Sequence, residues 1–184
     1  MSYSFRLLLF FTILVFAGCT LTPAQPALHD FGTGPSQFGN RTAFRSDVTV
    51  EAPKWLQDNR IHYRLLYAEP TQVRFYTLDR WLAPPSELLE QQLKSGGLDT
   101  RSPLTVRLLD FEQQFEAPQK AKVLMRLVVE AYTPDRQVMT HSREFRFEQV
   151  CPTPDAKGAV NALAKLSVKS VEQIRSWLDS LAGE

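Results

Sequence analysis

Gln72-Val-Arg-Phe-Tyr-Thr-Leu-Asp-Arg-Trp-Leu-Ala-Pro-Pro-Ser-Glu-Leu-Leu-Glu-Gln-Gln-Leu93 reads as a β-strand, an aromatic corner and a helix in succession. Val73, Phe75 and Thr77 alternate with Arg74, Tyr76 and Leu78, the period-2 pattern of a strand. Trp81 follows where a turn is expected. Pro84 and Pro85 then set φ near the helical value where no intrahelical N–H is required, and Leu88, Leu89 and Leu93 recur at helical spacing until Gly96-Gly97. A strand followed directly by a helix that must bury a leucine face implies a sheet with helices laid on it.

Working outward toward the C-terminus, the patterns stay strand-like for a long way. Leu104, Val106 and Leu108 share one face, but Leu109, Phe111 and Phe115 fall on the opposite phase, so a bulge is expected near Leu108-Leu109. Ala121, Val123, Met125, Leu127, Val129 and Ala131 form the cleanest alternation and are expected to be the central strand. Thr133-Pro134-Asp135-Arg136 is a turn with Pro at its second position. Met139 to Phe147 then alternates again, completing a long antiparallel pair. Beyond Pro152 and Pro154, Asp155 stands where a helix N-cap would. Val160, Leu163, Leu166, Val171, Ile174, Trp177, Leu178 and Leu181 trace an apolar stripe of a helix of about 25 residues.

Toward the N-terminus, Phe44 to Val50 and Ile61 to Tyr67 read as two more strands, with a helical turn or loop at Lys54–Asn59 and a turn at Glu69-Pro70. The expected fold class is therefore α+β: a mostly antiparallel sheet of about six strands with two helices packed on one face.

The first residues describe where the chain goes. Arg6 precedes the apolar run Leu7–Phe16, which has the dimensions of an export signal and is short for a membrane span. It ends in Phe16-Ala17-Gly18-Cys19, which resembles a bacterial lipobox. That resemblance implies cleavage before Cys19 and acylation of its sulfur and of the new amino terminus. Thr20 stands where Asp would resemble an inner-membrane retention signal, so the implied address is the periplasmic face of the outer membrane. The expected organisation is a lipoprotein signal peptide over 1–18, a flexible tether over 19–40 and one folded domain over 41–184. Pro23, Pro26, Gly32, Gly34, Pro35 and Gly39 give the tether its composition.

Removing residues 1–18 takes away Arg6 and no acid, leaving 166 residues with zero net charge, which argues against a nucleic-acid partner. Cys151 is then the one cysteine without an acyl role, expected to be a half-buried, inert thiol. His29, His62 and His141 lie in the tether and in two different strands, so no metal or other cofactor is expected beyond the lipid on Cys19. Asp79 and Asp110 sit beside strand ends, where acids cap or are solvated, and no catalytic residue is assigned. Trp55 and Trp81 are either core lids or an aromatic contact surface.

Several motifs together resemble one family: the lipobox and Pro/Gly tether, Val50–Leu56 before a strand, Phe75–Pro85 with its Trp81-x-x-Pro84-Pro85 core, and Glu87–Leu93. Leu104–Glu112, the strong hairpin after it and the terminal-helix segment Ala159–Ser167 complete the set. The chain is similar to the ABC-type transport auxiliary lipoproteins. That resemblance implies an outer-membrane-anchored auxiliary component, not an enzyme, working with an MCE-domain protein and its ABC transporter in moving lipids or hydrophobic compounds. With a tether and no reactive constellation in the chain, the expected mechanism is docking through strand edges and the aromatic corner, with Phe75, Tyr76, Trp81, Pro84 and Pro85 as the partner-binding candidates and a homo-oligomer as a further expectation. The alternative is a structural, pilotin-like lipoprotein of outer-membrane assembly.

Overall fold

The computed structural model describes residues 24–32, 47–96, 98 and 102–181. Cys19, the signal segment and residues 44–46 of the first expected strand lie outside the described residues. The elements are β1 (Ala27–His29), β2 (Val48–Glu51), a 3-10 turn (Lys54–Leu56), β3 (Arg60–Leu65), β4 (Glu69–Trp81) and α1 (Pro85–Ser95). They continue with β5 (Leu104–Ala117), β6 (Lys120–Tyr132), β7 (Met139–Val150) and α2 (Ala156–Leu181).

All seven strands form one sheet in the order β1-β4-β3-β5-β6-β7, with β2 also paired to β5. The long ladders β5–β6 and β6–β7 and the β3–β4 hairpin are antiparallel. The shorter β1–β4, β2–β5 and β3–β5 pairs are parallel. The α+β class is as expected, with one more strand and a mixed sheet.

The hub is β5, whereas the sequence pattern pointed to β6. At 14 residues, β5 is long enough to hold β2 against Leu104–Arg107 and β3 against Gln113–Phe115 along one edge, while β6 runs along the other. The bulge falls where the change of phase requires it. Leu108 pairs with Leu127 and Asp110 with Arg126, leaving Leu109 as the extra residue. Leu104, Val106 and Leu108 before the bulge and Phe111 and Phe115 after it are thereby all buried.

Both helices cover the same face. Leu88, Leu89 and Leu93 of α1 are buried, and Val50 N–H donates to Glu90 Oε2 at 2.9 Å, fastening α1 to β2. Leu163, Leu166, Val171, Ile174 and Trp177 of α2 are buried, with Trp177 edge-on to Phe145 at 5.9 Å. The helices meet at Gly96, where a Cβ would stand 2.5 Å from Val171 Cγ1.

The N-terminus of α2 is capped as its sequence foretells. Asp155 Oδ1 accepts from Gly158 N–H at 2.7 Å and from the Thr153 hydroxyl at 2.7 Å. These bonds, the Gly158 one first, hold the Asp155 carboxyl below its ordinary pKa of 3.8. Asp155→Ala is expected to cost about 1 kcal/mol at neutral pH. A depressed folded-state pKa means that the stabilisation is complete above the unfolded value and is lost as pH falls through the folded one. Urea unfolding should therefore show the wild type and the variant converging as pH drops below 3.8.

Two differences from the sequence reading shape the rest. Within the stretch read as a tether, Ala27–His29 pairs in parallel with Asp79–Trp81, and Phe31 packs edge-on to Trp81 at 5.5 Å and against Phe111 at 5.9 Å. The Pro/Gly composition masks this, because three paired residues and one aromatic anchor leave no periodic signature. The Glu69-Pro70 pair lies in β4, and the chain reverses at Leu66–Ala68, closed by Ala68 N–H to Leu65 O at 3.1 Å.

Candidate functional site

The two faces of the sheet are separated by the register of β3. Tyr63 pairs with Gln113, whose Nε2 donates to the Asp155 carbonyl at the start of α2, so odd residues of β3 point toward the helices. His62 and Arg64 therefore point to the open face, and Phe75, the register partner of His62, joins them there. Trp55 reaches the same place from the 3-10 turn, its ring 6.1 Å from His62. Trp55 and Phe75 are 42% and 43% exposed, and Val73, two positions from Phe75, is exposed as well. The Arg60 guanidinium lies over the Phe75 ring at 4.6 Å.

The five residues expected to meet a partner divide. Phe75 is exposed on the open face. Trp81 is 1% exposed and Pro85 is buried, so neither reaches a partner. Trp81 is the last residue of β4 and not a turn residue, and Phe31 and Phe111 enclose its ring, which makes it core. Pro84 is the half-buried N-cap of α1. Tyr76 is half-buried, its ring 4.8 Å from Tyr63 and its hydroxyl donating to Gln113 Oε1 at 2.7 Å, and burial raises its pKa. An alternating strand pattern hid this division because β4 carries extra residues against β3 at two places, so simple parity fails along it.

Two buried polar groups lie on the same face. His62 is buried with Nδ1 lacking a hydrogen-bond partner and Nε2 3.6 Å from Asp58. Burial lowers its pKa, partly offset by the Asp58 charge. Glu112 is 3% exposed and accepts from Arg64 Nε at 2.8 and 3.0 Å and from Gln114 Nε2 at 2.9 Å. The sequence reading passed over Glu112. The available signal was an acid placed between Phe111 and Gln113 in an otherwise apolar strand.

The acids considered for chemistry are engaged separately. Asp79 is 2.8 Å from His29 Nε2, and Asp110 Oδ2 accepts from Arg126 Nε at 2.6 Å. His141 is exposed near the start of β7. A depression of about 330 Å³ is lined by Leu28–Gly32, Leu82, Val160, Asn161 and Ala164, and it contains none of these three. Among the described residues no three His, Cys, Asp or Glu side chains are grouped to hold a metal. Cys151 is buried with Gln113 Nε2 3.4 Å from its sulfur, and burial raises the thiol pKa, which keeps it protonated and poorly nucleophilic. No helix among the described residues is long and apolar enough to cross a membrane.

No family model matches the chain, and no curated protein matches it either. Solved structures do. A Xanthomonas campestris protein assigned to DUF330 superposes with a TM-score of 0.62 at 15% identity, over 85% of this chain and 88% of its own. An uncharacterised protein gives 0.59 at 13% identity, over 84% and 99%. At these identities the likeness is one of fold: this chain has the architecture of a DUF330 protein.

Proposed function

We propose that this protein is a lipid-anchored, non-enzymatic auxiliary subunit of an MCE and ABC-type transport system of the cell envelope, and that its work is to hold other proteins. The anchor is Cys19, and the docking surface is the open face around Trp55, Phe75 and Val73. The observation that carries the reading is the apolar patch of the open face, where Trp55, Phe75 and Val73 stand exposed around the buried His62. Exposed aromatic side chains gathered on one face form the kind of surface that anchors a protein partner. The lipobox at Phe16–Cys19, the motif resemblance and the DUF330-like fold support the same reading.

Affinity purification of the tagged protein from detergent extract is expected to recover an MCE-domain partner. Trp55→Ala combined with Phe75→Ala should cut that recovery at least about thirtyfold if the pair supplies 2 kcal/mol of hot-spot energy. Both side chains are substantially exposed, so the fold should survive. Recovery of outer-membrane assembly subunits instead would favour the pilotin-like role, and undiminished recovery by the double variant would remove this face from the proposal. Cys19→Ala should leave the protein in the soluble periplasmic fraction.

A further inference from the structure

The docking of Ala27–Phe31 on the sheet shortens the lipid leash. Between Cys19 and Ala27 there are eight Cα steps, at most about 29 Å when fully extended, against about 79 Å if the folded domain began at residue 41. The clamp is firm: Phe31 is wedged against Trp81 and Phe111, His29 is 2.8 Å from Asp79, and Leu82 N–H donates to His29 O at 2.7 Å. An acylated Cys19 therefore holds the β1 margin of the sheet within about 29 Å of the lipid. That margin carries three of the most exposed leucines. Leu28 is 59% exposed, Leu82 is 58%, and Leu78, which precedes the register partner of Ala27, is 56%. Leu28 and Leu82 line the same depression beside Val160 of α2.

We infer that the β1 margin of this domain lies against the lipid surface to which Cys19 is anchored, with Leu28, Leu78 and Leu82 making the apolar contact. The sheet then stands edge-on to the membrane, and its open face remains free for a protein partner. This inference rests on the acyl anchor proposed above. The leash length selects lipid as the occupant, since residues kept this close to a bilayer meet it before any diffusing protein, and exposed leucines partition into its interface.

The test uses the full-length lipoprotein purified in detergent and reconstituted into phosphatidylethanolamine–phosphatidylglycerol vesicles whose acyl chains carry nitroxide quenchers. An environment-sensitive fluorophore is attached at Leu28→Cys, Leu82→Cys or Met139→Cys in a Cys151→Ser background. Each of the three sites is more than half exposed, so labelling should not disturb the core. Met139 begins β7, about 24 Å from β1 across the sheet. A several-fold loss of fluorescence at positions 28 and 82, with position 139 unaffected, is the expected result. Equal quenching at all three would overturn the edge-on placement. Protection of positions 28 and 82 from aqueous iodide without quenching by the lipid nitroxide would show a protein covering the margin and overturn the lipid assignment. An intact mass without acyl chains would overturn the anchor and this surface together, whereas an acylated protein with unquenched probes would overturn the surface alone.

Discussion

Trp81→Ala is expected to destabilise the domain by about 3–5 kcal/mol, measured by equilibrium urea unfolding. The tryptophan is 1% exposed, and its ring stands 5.5 Å from Phe31 and 5.7 Å from Phe111, so truncation opens a void bordered by two other aromatics. The backbone around it is fixed by Trp81 N–H to Asn59 O at 2.8 Å, which limits how far the cavity can collapse. Part of the loss should be local. Phe31 would lose the wall that holds β1 in place, so the Leu82 amide, bonded to His29 O, should exchange faster than amides of the β5–β6 ladder. Trp81→Phe should recover part of the stability by refilling the space. A loss below about 0.5 kcal/mol would be the behaviour of a surface residue and would return Trp81 to the list of partner contacts.

Removing Arg64 is the second large effect. Arg64→Met leaves the Glu112 carboxylate buried with Gln114 as its remaining side-chain donor, and breaking a buried pair in this way costs about 3–5 kcal/mol. The Arg64 side chain is 23% exposed and so partly screened, which places the expectation near the lower end. Arg64→Met together with Glu112→Leu should regain most of the loss, because no unpaired charge then remains. A double-mutant cycle measures the coupling directly. If the double variant is no more stable than Arg64→Met alone, the two side chains do not act as a pair.

These two sites show where the sequence was readable and where it was not. Trp81 was visible as a large aromatic between a strand and a helix, but its alternatives, core lid and contact surface, differ only in what stands opposite. Phe31 and Phe111 decide that, and they lie 50 and 30 positions away in the chain. Glu112 and Arg64 are likewise 48 residues apart. The same separation hid the open-face cluster: Trp55, His62 and Phe75 come together through a hairpin whose register breaks no local pattern announces.

By itself the amino-acid sequence determined the α+β class, the Leu109 bulge in β5, the β6–β7 pair, and α2 with its Asp155 cap. Each of these is written in residues two, three or four positions apart, where the pleat of a strand and the turn of a helix impose their periods directly. Tertiary structure alone decided that β5 and not β6 is the hub, that Trp81 is core and Pro85 buried, and that residues 27–31 belong to the domain rather than to its tether. Those outcomes depend on which surfaces meet after the chain has folded back on itself, and a pairing between distant segments leaves no period along either of them.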